Sequence, residues 1–346
     1  MKKIFLAFTA TVLLLLSACG GGAPVVYMSG FSMDEDTSTA NYWKDEEVSN
    51  LPLENTSIAN GIFADADFTY ISGATNITTA ATACYWMNDG TKYDLATPGG
   101  SASKATGIYV EGSNIYVSGV YYPVPVAVAS GYWMNKEFKV LYDGAEDSYV
   151  TSIYVQDGVV YTAGHIANKA VYWKGTTKYD LSTDSSMATS IKVDKDGVVY
   201  VSGYIEDKAV YWKGKTVLDV VELTDGTEPA IATSLDLAGE DVYIAGLYDD
   251  MQKVVYWKNT ASNKFDLSIT GSYVVDGSLV LSALSAADFN IWGPSIQTDG
   301  TTVYVSSYLV ENPDDPDTFA FVGGLWKDGV FSVKKGYSYS SLFVRW

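Results

Sequence analysis

Few residues in this 346-residue chain have the types and spacing that chemistry needs. His165 is the single histidine, so metal sites built from histidine clusters are excluded. A serine–histidine–aspartate triad would have to use it, yet no serine sits in the glycine pattern of a nucleophile elbow. Paired carboxylates would serve glycoside hydrolysis, but most aspartates recur at fixed points, in turns (Asp157, Asp196, Asp299) or ahead of a short apolar segment (Asp94, Asp180, Asp266). That recurrence marks structure. The clusters Asp34-Glu35-Asp36 and Asp314-Asp315-Pro316-Asp317 offer hard oxygen ligands of the kind Ca2+ takes, without EF-hand spacing. Solvated loop charge is the simpler reading of both, and no other cofactor is expected. Stacking is the chemistry that remains. Phe31, His165, Tyr204 and Tyr308 close one recurring segment, Tyr121, Tyr122 and Tyr248 lie beside such ends, and Phe289 and Trp292 stand outside the repeat. Exposed rings of this kind stack on sugars or peptides, although each could equally pack on its own loop.

The elements that must position these residues follow from a phrase that recurs seven times: Val26-Tyr27-Met28-Ser29-Gly30, then Thr69 to Gly73, Ile115 to Gly119, Val160 to Gly164, Val199 to Gly203, Val242 to Gly246 and Val303 to Ser307. Each is followed by an aromatic dyad, from Tyr42-Trp43 and Tyr85-Trp86 to Tyr256-Trp257 and finally Leu325-Trp326. Most copies are about 40–45 residues apart, the length of one four-stranded propeller blade. In the fifth copy, Ala188 to Val193 reads as strand one and Asp196-Gly197 as a hairpin turn. Val198 to Gly203, Lys208 to Lys213 and a segment near Thr216 to Val220 read as strands two, three and four. Near-continuous apolar character in strands two and three requires burial of both faces, as stacked blades provide. The first copy lacks strand one, while Ser340-Ser341-Leu342-Phe343-Val344 matches strand one with nothing after it. The expected fold is therefore an all-β, seven-bladed propeller over residues 25–346, closed by the C-terminal strand completing the first blade. Closure removes the edges an open array would expose. The gap of 61 residues between Tyr243 and Tyr304 is read as an insertion over Gly271 to Asn290, with a hairpin at Tyr273 to Leu281, and not as an eighth blade.

These repeats resemble those of bacterial propeller lipoproteins of unknown function, which carry a Val-Tyr-Val-Ala-Gly strand followed by Ala-Val-Tyr-Trp-Lys-Asn-Gly. The resemblance covers essentially all of 25–346; it implies a fold and no chemistry. Signatures of WD-type, kelch and quinoprotein propellers are absent.

Residues 1–18 read as an export signal, with Lys2 and Lys3 ahead of the apolar run Ile4 to Leu16. Leu16-Ser17-Ala18-Cys19 is similar to a lipobox, which makes Cys19 the lipidated residue and 19–24 a short flexible tether. The other cysteine, Cys84, then has no second cysteine to form a disulfide with and stands where sister repeats place valine, as a small buried hydrophobe does. Without residues 1–18 the chain has 20 basic groups against 41 acidic ones, a formal charge of −21, and a single arginine, Arg345. Nucleic acid is excluded as a partner.

Connections between strands one and two, and three and four, are short throughout. The long ones join strands two and three (Phe31 to Asn41, Val120 to Gly131, Tyr308 to Gly324) or precede the seventh copy, and both kinds leave by the same face of the ring. Loops on a rigid scaffold carry binding. The central mouth of that face is expected to carry Asn60, Thr106, Thr151, Thr189, Thr233 and Ser340, then a ring of small residues, Gly61, Gly107, Ser152, Ser190, Ser234, Ser295 and Ser341. Crowding of seven strands at the axis is enough to explain the latter. The recurrent tryptophans are assigned to packing between blades. The sequence thus predicts a monomeric, lipid-anchored extracytoplasmic propeller at the outer membrane or cell surface, a non-enzymatic binding or scaffold module for protein or glycan. A polysaccharide-active enzyme using loop carboxylates, and a structural envelope protein, are the alternatives.

Overall fold

Runs such as Val-Tyr-Val-Ser-Gly put β-branched and aromatic residues on both sides of the pleat, so they are stable as strands only when sheets cover both faces. The computed structural model describes residues 23–346 apart from 35–36, 46, 53–55, 78–79, 89, 124–126, 270–272, 275–292, 312–319 and 336–337. It is a seven-bladed propeller in which each blade is one antiparallel sheet, with the strands of blades two to six in chain order from the axis outward. Blade five runs Ser186–Val193, Val199–Ile205, Lys208–Gly214 and Leu218–Glu222. In blade one the inner strand is Ser338–Arg345, paired from Val25↔Arg345 to Phe31↔Ser338 with the strand Val25–Asp34. The ring is closed as the split repeat requires. The Arg345 guanidinium extends the closure into blade two by donating to the Asp65 carbonyl at 2.6 Å, and the Trp346 ring lies 5.7 Å from Tyr304 of blade seven.

The letters of the repeat each have a physical cause. All seven strand-three tryptophans are at most 1% exposed. Trp212 lies across strand two so closely that a Cβ on Gly203 would stand 2.9 Å from its ring and collide with the Met187 carbonyl; Gly119 and Gly246 face Trp133 and Trp257 in the same way. The tyrosine of strand two pairs across the ladder with the lysine after the dyad, Tyr200 with Lys213 and Tyr243 with Lys258, each ammonium 5.0 Å from the ring centroid. The dyad's own tyrosine stacks on strand four, as in Tyr172–Tyr179 at 4.7 Å. At the first hairpin of blade four, Asp157 and Gly158 both have positive φ (52° and 73°), the conformation a two-residue turn needs to follow the strand twist. Cys84 is fully buried in a cluster with Ala59, Ile71 and Trp86.

Three connections differ from the expected loops. In blade one the ladder continues past the blade body through Phe31↔Ala40 to Asp34↔Thr37, in blade three to Tyr121↔Ala129, and in blade seven to Glu311↔Ala320. They are ribbons, because pairing satisfies backbone groups that an irregular crossing would leave open. Of the insertion, Tyr273–Val274 adds to the sheet of blade seven by pairing with Glu311 and Val310. The remainder of the expected hairpin lies outside the described residues.

Candidate functional site

The innermost strands of blades one to six each carry a β-bulge, at Ser340, Asn60, Thr106, Thr151, Thr189 and Thr233. A bulge turns a side chain out of the pleat. In blades two to six it turns a donor toward the next blade. Asn60 Nδ2 donates to the Ala105 carbonyl, and the hydroxyls of Thr106, Thr151 and Thr189 donate to those of Val150, Ala188 and Ala232, all at 2.8 Å. Thr233 donates to Pro294 of blade seven. The same threonines meet the serine of the repeat, Thr106 with Ser118 at 3.0 Å and Thr189 with Ser202 at 2.9 Å. These residues, expected at the mouth on the face of long connections, line the axial cavity from two or more residues inside the strands, and all but Ser340 also join blade to blade.

One residue further on is the ring of small side chains, and crowding accounts for it: a Cβ on Gly61 would be 3.0 Å from the Cα of Gly107. Ser152 and Ser234 also accept from Ile191 N and Ile296 N of the following blades, at 3.3 and 3.4 Å.

Two residues beyond, on the same side of each strand, comes a third ring that composition alone did not single out. Phe343, Phe63, Tyr109 and Tyr154 form an arc over four consecutive blades, with centroid separations of 5.0, 5.1 and 5.0 Å and planes inclined by 47–63°. The ring continues as Lys192, whose ammonium is 5.5 Å from the Tyr154 centroid and 3.5 Å from the Asp236 carboxylate. Asp236 is oriented by the Thr298 amide, which donates to it at 2.9 Å, and Gln297 completes the circuit. Burial, together with Tyr154 and the Glu111 charge, holds the Tyr109 hydroxyl protonated well above its usual range. The three rings enclose an axial cavity of about 170 Å³ lined by the inner strand of every blade. Its aromatic and charged end lies beside the first hairpins, on the face of short turns. Alternation along strand one, carried two positions past the small-residue ring, is the signal that finds it.

Among the described residues, the aromatic side chains named from sequence are not gathered into one site. Phe31, at 3% exposure, packs on Ile58 and Ala74. Tyr121 is buried edge-on to Phe138 at 5.3 Å. His165 is buried and stacked on Tyr149 at 4.9 Å, and loss of hydration lowers its pKa to about 4. Phe31 is covered by blade two and the other two rings by neighbours in their own blades, so none offers a face to solvent. Tyr122 and Tyr204 are half-buried against one apolar cluster that includes Tyr149 and Met187, and Tyr248 has the Lys264 ammonium 3.6 Å from its centroid. Tyr308 supplies backbone to the strand Val303–Glu311. Cys19, Phe289, Trp292 and the acidic runs 35–36 and 314–317 lie outside the described residues. Among the described residues, no three His, Cys, Asp or Glu side chains converge as a metal site, and no helix is long and apolar enough to cross a membrane. The recurrent aspartates Asp94, Asp180 and Asp266 sit on outer strands, each in an ion pair with the lysine two residues before it.

The chain matches no protein-family profile and no curated sequence. Among solved structures, virginiamycin B lyase from Staphylococcus aureus aligns with a TM-score of 0.49 and 12% identity, over 80% of this chain and 84% of that one. The WD40 propeller domain of Doa1 aligns at 0.45 and 11%, over 82% and 94%. A luciferin-regenerating enzyme aligns at 0.39 and 12%, over 66% and 90%. Likeness at this level assigns no activity; the architecture rests on the strand pairing itself.

Proposed function

We propose that this protein is a lipid-anchored extracytoplasmic propeller, tethered through Cys19 at the outer membrane or cell surface, that acts as a binding or scaffold module for protein or glycan. The observation that carries the reading is the layout of the ring. Short hairpins occupy one face and every ribbon extension leaves by the other. The N-terminal strand enters from the short-turn face, since Val25 pairs with Arg345 at the end of an inner strand. An anchor at Cys19 then turns the elaborated face away from the lipid. The recurrent carboxylates are engaged on outer strands and in turns, which supports binding over hydrolysis.

Expression of the chain and of Cys19→Ala with a fatty-acid label tests the anchor. The native chain should take up label and partition with detergent, and the variant should do neither. Unlabelled native protein refutes the anchor. Glycan and envelope-protein arrays test the module: a saturable hit supports it, and turnover of a polysaccharide without any hit refutes it.

A further inference from the structure

We infer that the axial cavity is a binding site for one uncharged pyranose ring. The inference rests on the reading of the chain as a binding module and names what that module holds at its axis. At about 170 Å³ the cavity is smaller than the roughly 300–1,000 Å³ of sites that engulf drug-sized ligands, and it suits a single ring. Its walls are unlike. On one side are the half-buried rings of Phe343, Phe63, Tyr109 and Tyr154, side by side and mutually inclined. Facing them are Lys192 and Gln297; the Asp236 carboxylate, 3.5 Å from the Lys192 ammonium and outside the lining, offsets its charge. The Lys192–Asp236 separation of 3.5 Å is longer than a full hydrogen bond, so the ammonium retains protons to donate.

A ligand that fits must be apolar on one face, hydroxylated round its rim, and neutral. A pyranose has one C–H face and a polar rim. A nucleobase is apolar on both faces, so in this site its second face would meet the polar wall of Lys192 and Gln297. Anions are disfavoured by a chain carrying −19 overall. The same sugar chemistry comes from a free glycan end or from a glycolipid headgroup, and the short-turn face that carries the arc is also the face by which the N-terminus leaves.

The test is calorimetric titration of the whole protein with glucose, galactose, mannose and N-acetylglucosamine into the millimolar range, with adenosine and uridine as comparators. A second arm uses phosphatidylcholine vesicles with and without a neutral monohexosyl lipid. At least one sugar should saturate. Tyr109→Ala should weaken it about tenfold or more through lost stacking, Ser152→Trp should abolish it by filling the cavity, and Lys192→Gln should weaken it with the melt unchanged. If Tyr109→Ala or Ser152→Trp melts early, Lys192→Gln at a partly exposed side chain carries the same test. Binding in solution or on hexosyl vesicles alone supports the site and identifies its source. No binding in either arm, binding unmoved by these variants, or nucleosides bound in place of sugars overturns it. Array hits that persist in the axial variants would overturn the inference and leave the binding module standing.

Discussion

Protonation of His165 should cost this propeller a measurable share of its stability. The imidazole is 3% exposed and lies against Tyr149, and burial outweighs the nearby Asp147 carboxylate to bring its pKa from 6.5 to about 4. A histidine whose pKa is depressed by folding contributes stability above the unfolded value, and that contribution is lost as pH falls toward the folded one. At roughly 1.4 kcal/mol per unit, the penalty reaches about 2 kcal/mol at pH 5 and about 3 kcal/mol at pH 4, then levels off. Against a total of roughly 5–15 kcal/mol this is a large fraction. Urea unfolding of the native protein and of His165→Phe between pH 7 and 4.5 isolates it. The phenyl ring preserves the stack on Tyr149, and the changing net charge cancels between the two proteins. Asp225, Asp241 and Asp299, held below the usual carboxylate range by hydrogen bonds, also cancel. The native protein should lose about 2 kcal/mol more than the variant over that interval. As the chain has one histidine, its ring signals in NMR are unambiguous. Parallel pH profiles for the two proteins, or a titration midpoint above 6, would refute the reasoning.

Deleting residues 338–346 removes the inner strand of blade one, including Leu342 and Val344 at 3% exposure, and the Arg345 and Trp346 contacts to blades two and seven. Burial of each aliphatic side chain is worth about 1.5–3 kcal/mol, so the truncated chain should melt far lower and aggregate through the opened edge; an unchanged melt would contradict closure. Gly203→Ala should destabilise by about 1–3 kcal/mol or more through overpacking against Trp212 and the Met187 carbonyl, read as a lower urea midpoint at unchanged slope.

The blade was legible because its demands are local and repeated. Strands two and three must be apolar on both sides, a tryptophan must lie over a glycine, and hairpins of the Asp157-Gly158 kind need positive φ. Ring closure was legible because the first copy lacks strand one and a lone strand one follows the last copy. The site was less so. The residue types of the bulge ring were visible, but the carbonyls that Thr106 and Thr189 reach are more than 40 residues away in the chain. The equivalent position of strand one is aromatic in four blades (Phe343, Phe63, Tyr109, Tyr154) and then changes to Lys192, Asp236 and Gln297, so only its place in the alternation, and no shared residue type, marks the whole ring. These residues become neighbours only when the ring is closed. For Phe31, Tyr121 and His165 the sequence leaves exposure and packing equally open, because a place at or beside a strand end does not show which neighbours will cover the ring; all three are buried.

The splitting of blade one also decides how the molecule bears mechanical load. The N-terminal strand Val25–Asp34 is flanked on one side by Ser338–Arg345 and on the other by Thr37–Lys44. Tension applied at Val25 acts along the strand, so both ladders resist in shear and their bonds must fail together. An outermost strand pulled from its end would peel one bond at a time. Load entering at Val25 is thus shared by two ladders at once.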